Sequence, residues 1–98
     1  MSKLNFDFEG KNVLITGAER GIGLAIAKGF AKCGANIIIA GITDDEFETA
    51  KQAIKQENVE CFCIHTDVFD EKSIKTALRQ INEKFSKIDI LVNNAGIN

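Results

Sequence analysis

Three glycines separate a short β-branched run from a helical one, and no other feature of the chain restricts its fold as much. Asn12-Val13-Leu14-Ile15-Thr16 is apolar and β-branched, as a buried strand would be. Gly17, Gly21 and Gly23 follow at spacings of four and two. Then Ile22, Ala25, Ile26, Gly29, Phe30 and Cys33 recur at offsets of three and four, which predicts a helix with one apolar face. Gly34 comes just after the last of these, where a C-terminal cap glycine belongs. A strand that passes into a helix through glycines leaves the first helical amides free of obstructing Cβ atoms. Those amides can then face a diphosphate. On this reading Gly17 makes the turn, Gly21 admits the ligand and Gly23 lets the helix lie close to the strand. No Gly-Lys-Ser/Thr ends the turn, so it is not a Walker-type phosphate loop.

The same alternation continues. Ile37-Ile38-Ile39-Ala40 is apolar at every position, the pattern of a strand buried on both faces of a parallel sheet. Thr43-Asp44-Asp45-Glu46 fits a capping box, opening a helix with Phe47, Ala50 and Ile54 on one face. Val59 to Ile64 is a third predicted strand. Asp70 is placed to cap a third helix, whose inner side would carry Ile74, Ala77, Leu78, Ile81 and Phe85. Ile88 to Val92 is the fourth strand. The order β-α-β-α-β-α-β predicts an α/β fold, a doubly wound parallel sheet with right-handed crossovers.

Composition removes several classes of function. The 98 residues carry 12 basic and 14 acidic side chains, a net charge of -2. Nucleic acid or an anionic membrane surface would need clustered Lys and Arg, so neither is expected as a partner. Hydrophobic residues at 45% and charged ones at 27% suit one small globular domain or part of a larger one. The N-terminal stretch from Met1 to Glu9 has no signal-like apolar core, and no run approaches the roughly 20 residues of a membrane span. A cytoplasmic chain with reduced thiols is expected, since the cysteines number three and form no secreted-type framework. Cys61, Cys63 and His65 alternate along the third strand and share a face. Positions two apart on a strand lie about 6.6 Å apart, too far to wrap an ion that holds sulfur at about 2.3 Å. The cysteines therefore read as small buried hydrophobes, and His65 as an exposed polar residue or a neighbour of the ligand.

Taken together, Thr16-Gly17-Ala18-Glu19-Arg20-Gly21-Ile22-Gly23, Asp67-Val68 and Asn93-Asn94-Ala95-Gly96 resemble the short-chain dehydrogenase/reductase family. Glu9-Gly10-Lys11 has the same look, and the motifs fall in the family's order along nearly the whole chain. The local flavour is similar to 3-oxoacyl-acyl-carrier-protein reductases and to sugar or polyol dehydrogenases. The resemblance implies an NAD(P)-binding, Rossmann-like sheet of four strands in the order 3-2-1-4. Residues 1–98 would be the N-terminal part of a single dinucleotide-binding domain. It implies that the backbone of Gly17, Ala18, Glu19, Arg20, Gly21, Ile22 and Gly23 cradles ribose and diphosphate, with Thr16 bracing the turn. Asp67 would accept from the adenine amino group beside the Val68 amide. Asn94, Ala95 and Gly96 would line the cofactor ribose.

Cofactor choice in such folds turns on the end of the second strand, where an acid binds the 2′-hydroxyl of NAD and repels the 2′-phosphate of NADP. That position is Gly41, followed by Ile42, and neither is charged. With Arg20 in the glycine turn, NADP is expected over NAD, while Asp44 and Asp45 read as helix N-terminal acids. The family transfers hydride to or from a carbonyl carbon with a Tyr, a Lys and a Ser that lie beyond the Asn-Asn-Ala-Gly motif. The chain contains no Tyr. The expectation is a truncated oxidoreductase, acting in its complete form on a small carbonyl or alcohol substrate, as a homo-oligomer. The chain alone is expected to bind cofactor weakly, to show no turnover, and to self-associate through the apolar strand Ile88 to Val92. A non-catalytic dinucleotide-binding module, or a remnant that binds nothing, is the alternative.

Overall fold

The computed structural model describes residues 7–94. β1 (Asn12–Thr16) leads to α1 (Gly21–Lys32), β2 (Asn36–Gly41), a 3-10 turn (Asp44–Glu46), α2 (Phe47–Lys55), β3 (Cys61–His65), α3 (Glu71–Lys84) and β4 (Ile90–Val92). The four strands form one sheet in the order β3-β2-β1-β4, parallel at every pairing. In register, Leu14 lies beside Ile38 and Leu91, and Ile39 beside Cys63.

Burial of both faces of the sheet explains why Val13, Leu14 and Ile15 of β1 and Ile37, Ile38, Ile39 and Ala40 of β2 are apolar at successive positions. Val13, Ile15, Ile37, Ile39 and Cys61 face Ala27 and Ala31 of α1 and Ala50 and Ile54 of α2. Leu14, Ile38, Ala40 and Ile64 face Ala77 and Ile81 of α3, together with Phe85. Each face of the sheet thus has its own helical cover.

The helical faces differ from the periodicity. α1 buries Gly23, Ala27 and Ala31, whereas Ile22, Ala25 and Gly29 of the expected stripe are exposed. Size decides this. A run of small residues lets the helix axis approach the sheet, and Leu24, Ile26 and Phe30 then fill the flanks. On α3, Leu78 stands half exposed beside buried Ala77 and Ile81. The capping box at Thr43 does not form. Thr43 makes no side-chain cap bond, and its carbonyl instead accepts the Glu46 amide to close the 3-10 turn. Asp44 reaches across to His65 Nδ1 at 2.6 Å rather than serving the helix. β3 starts at Cys61, not Val59, because the chain first turns through Asn58 at φ 63. β4 starts at Ile90, because Lys87 and Asp89 are engaged with Asn12. Asp70 caps α3 as its position implies, accepting from the Lys72 amide at 3.1 Å. Gly34 takes φ 94 at the end of α1.

Polar groups at the N-terminal ends of the strands satisfy one another. Asn12 Nδ2 donates to the Lys87 carbonyl, and its Oδ1 accepts from Asn36 Nδ2. Asn36 Oδ1 accepts the Glu60 amide, and Asp89 accepts the Asn12 amide at 2.8 Å. That backbone bond, foremost, holds the Asp89 carboxyl below its ordinary value of 3.8. The opposite end of the sheet is built differently.

Candidate functional site

At the C-terminal ends of β1, β2 and β3 lies a cavity of about 490 Å3. Open parallel sheets bind ligands at this end, in the crevice where strand order reverses. Here the reversal falls between β1, whose next strand in sequence lies to one side, and β4 on the other.

The glycine turn forms one wall. Gly17 and Gly21 both have positive φ, 67 and 63, so the turn needs residues without a Cβ penalty there. A Cβ added at Gly21 would meet nothing within 4 Å, which shows open space in front of the turn. Gly23 is small for another reason: a Cβ there would collide with the Gly17 carbonyl, the Asn94 side chain and Ala18 Cα. The start of α1 is open. Its N-cap residue, Arg20, is extended and makes no side-chain cap bond, and the first turn holds no acid. A helix N-terminus with its amides unclaimed by side chains suits an anion.

The turn is held from the side by the two residues that follow β4, Asn93 and Asn94. Thr16 Oγ1 donates to Asn93 Oδ1 at 3.2 Å and accepts the Asn94 amide at 2.8 Å. Asn94 Nδ2 donates to the Gly17 carbonyl at 3.1 Å. The Gly17 amide reaches the Ala40 carbonyl at 2.8 Å, tying the turn to β2. Thr16, Ala18 and Gly23 therefore stand behind the wall, whereas Gly17, Arg20, Gly21, Ile22, Gly41, Ile42, Asp67, Val68 and Asn94 line the cavity. Ala95 and Gly96 lie outside the described residues.

The far wall comes from the β3–α3 turn. Asp67 is exposed there. Its amide donates to Ser73 Oγ, and its Oδ1 accepts the Phe69 amide at 3.0 Å. Phe69 is 92% exposed, and Ile42, which lines the same cavity, is exposed too. Sequence reasoning passed over Phe69, Thr43 and Thr66 as lining residues. For Phe69 a signal existed, an aromatic between a strand end and a helix cap. For the threonines there was none.

Glu19 departs furthest from expectation. Its backbone belongs to the glycine turn, but its side chain runs to the end of β2 and is buried. Oε2 accepts the Thr43 amide at 2.9 Å. A Cβ built on Gly41 would fall inside the Glu19 carboxylate. The end of β2, uncharged in its own sequence at Gly41, thus holds a carboxylate from another element. Arg20 is largely exposed, with Nε 3.7 Å from Glu46 Oε1. His65 is exposed and engaged with Asp44, away from the cavity lining. Cys63 is kept below the usual thiol range chiefly by a hydrogen bond from Cys61, which that bond and burial push well up. Among the described residues no group of three His, Cys, Asp or Glu is placed to hold a metal.

The geometry fits a dinucleotide: an open helix start at a glycine turn, an acid and apolar groups on the far wall, and volume within the usual range for ligand pockets, about 300–1,000 Å3. Comparison with known proteins agrees. The family model for short chain dehydrogenase matches residues 11–98. The 5-keto-D-gluconate 5-reductase of Escherichia coli is 41% identical over 94% of the chain, and the match takes up 36% of that protein. The solved L-sorbose reductase of Gluconobacter frateurii, complexed with NADPH and L-sorbose, superposes with a TM-score of 0.88 at 35% identity. It covers 93% of this chain and 35% of its own. An NAD+-bound xylitol dehydrogenase gives 0.83 at 32% identity, covering 86% of this chain and 32% of its own. The chain belongs to the short chain dehydrogenase family, whose relatives here are oxidoreductases of the NAD(P)-binding, Rossmann-like fold. It spans about a third of the length of the curated relatives it matches. Among the described residues, no helix is long and apolar enough to cross a membrane.

Proposed function

We propose that this chain supplies the dinucleotide-binding part of an NAD(P)-dependent oxidoreductase, residues 1–98 forming the N-terminal part of a single domain. The observation that carries this is the uncapped start of α1 at Gly21, open to the cavity. A bound nicotinamide dinucleotide would supply the hydride, exchanged with a carbonyl or hydroxyl carbon. The amides from Gly17 to Gly23 receive the diphosphate, and Thr16 and Asn94 keep the turn in shape. Asp67 and Val68 take the adenine, and Asn94, Ala95 and Gly96 take the ribose. Arg20 supports the 2′-phosphate form of the cofactor; the Glu19 carboxylate supports the other.

The substrate of the complete protein belongs, on this reading, to the sugar-acid, ketose or polyol class. The names of the relatives support that choice. The 3-oxoacyl-acyl-carrier-protein class is the second reading, favoured by the wording of the glycine motif itself. A chain with no Tyr lacks the family's proton donor and does not turn over alone. A cytoplasmic location, supported by three free thiols, and a homo-oligomeric state of the complete protein complete the proposal.

Fluorescence titration with NADH and NADPH tests the central point. Saturable binding of at least one is expected. Gly21→Glu, which sets a carboxylate in the open space, should weaken it about tenfold or more. Absence of saturable binding to the folded chain would refute the reading. Steady-state reduction of a ketose by the purified chain would refute the proton-donor argument.

A further inference from the structure

The carboxylate of Glu19 has a use that the glycine motif does not explain. It is 5% exposed, its Oε1 has no hydrogen-bond partner among the described residues, and it lines the same cavity as Gly41, Ile42 and Thr43. An unsatisfied buried carboxylate oxygen is costly, and a hydroxyl donor arriving in the cavity would remove that cost. Gly41 itself has no conformational need to be glycine, since it is absent from the residues with positive φ. What it does is make room: its missing side chain is the space the Glu19 carboxylate fills. The Thr43 amide holds Oε2 and leaves Oε1 unpartnered.

Accepting the dinucleotide reading above, we propose that Glu19 is a specificity-determining residue, supplying from the glycine turn the acid that β2 lacks at Gly41. It accepts the adenosine ribose 2′-hydroxyl and so selects NAD over NADP. A 2′-phosphate in this corner would meet the Glu19 carboxylate at close range. The cation that could offset it, Arg20, lies 72% exposed in solvent beside the Glu46 carboxylate. Screening by water weakens an exposed charge far more than a buried one.

Calorimetric titration of NAD+ and NADP+ into the wild-type chain, Glu19→Gln, and the double variant Glu19→Ala with Gly41→Asp is the test. Wild type should bind NAD+ about tenfold tighter or more, the scale of one charge-assisted hydrogen bond. Glu19→Gln should narrow that ratio about tenfold, chiefly by tighter NADP+ binding. The double variant, with an acid back on β2, should restore it. Preference of the wild type for NADP+, or an unchanged ratio in Glu19→Gln with both cofactors bound, would overturn the proposal. If Glu19→Gln does not fold, the double variant decides: equal affinity for the two cofactors overturns it. Binding of neither cofactor by folded wild type, checked by circular dichroism, would fail the dinucleotide reading and this proposal with it.

Discussion

Two strand-to-helix turns open on the same end of the sheet, and they are built on opposite plans. After β3, the chain satisfies itself. Asp70 caps α3 at the Lys72 amide, Glu71 sits in the first turn, Ser73 takes the Asp67 amide, and Asp67 takes the Phe69 amide. After β1, the helix starts with an extended Arg20, no side-chain cap and no acid. Both helices have four orphan amides to satisfy. One turn satisfies part of that need with its own side chains; the other leaves it facing a cavity. The lesson is that a ligand site can be recognised by what a turn declines to do for itself.

The largest break in this comparison should come within the open turn, from its two kinds of glycine. Gly23→Ala drives a Cβ into the Gly17 carbonyl and the Asn94 side chain, with Ala18 Cα at 2.9 Å. Overpacking against backbone costs about 3 kcal/mol, so Tm should fall by roughly 10 °C or more. Gly21→Ala meets nothing and pays only for its φ of 63, about 1 kcal/mol. Thermal melts of both variants giving equal losses would show that the helix does not depend on close approach at Gly23.

A smaller effect distinguishes the two helix starts. Asp70→Ala should cost about 1 kcal/mol, the usual value of an N-cap. Arg20→Asp should instead stabilise the chain by about the same amount, because the backbone of Arg20 is already extended, φ -160 and ψ 172, as a cap requires. Urea melts would measure both. No gain from Arg20→Asp would mean that the amides of α1 are not open.

The smallest effect lies at the other end of the sheet, where polar groups are paired. Asp89 has its carboxyl held low by the Asn12 amide. A group whose pKa is lowered on folding stabilises above its unfolded value and loses that contribution as pH falls through the folded one. Asp89→Asn should therefore lower Tm at pH 7, and the gap to wild type should close below about pH 4. A gap that is constant from pH 7 to pH 3 would remove the carboxylate from the account.

Much of the fold was legible because it rests on local rules. The centres of β1 and β2 announced themselves as apolar runs, Asp70 as a cap, Gly34 as a helix stop, and the glycine turn as a junction between strand and helix. The sheet order and the family followed from motifs that fell in sequence on those elements. The inner face of α1 was not legible, since periodicity counts apolar residues and the sheet selected small ones, Gly23, Ala27 and Ala31. Thr43 formed no capping box because a 3-10 turn claimed its carbonyl and Asp44 found His65. Above all, Gly41 and Glu19 are far apart in the chain and meet only when β1 and β2 pair. By itself the sequence determined which residues form the strands, the turn and the caps, because those depend on neighbours within a few positions. Only the tertiary structure decided which charge stands at the end of β2, because a side chain from one element can occupy the space that another leaves empty.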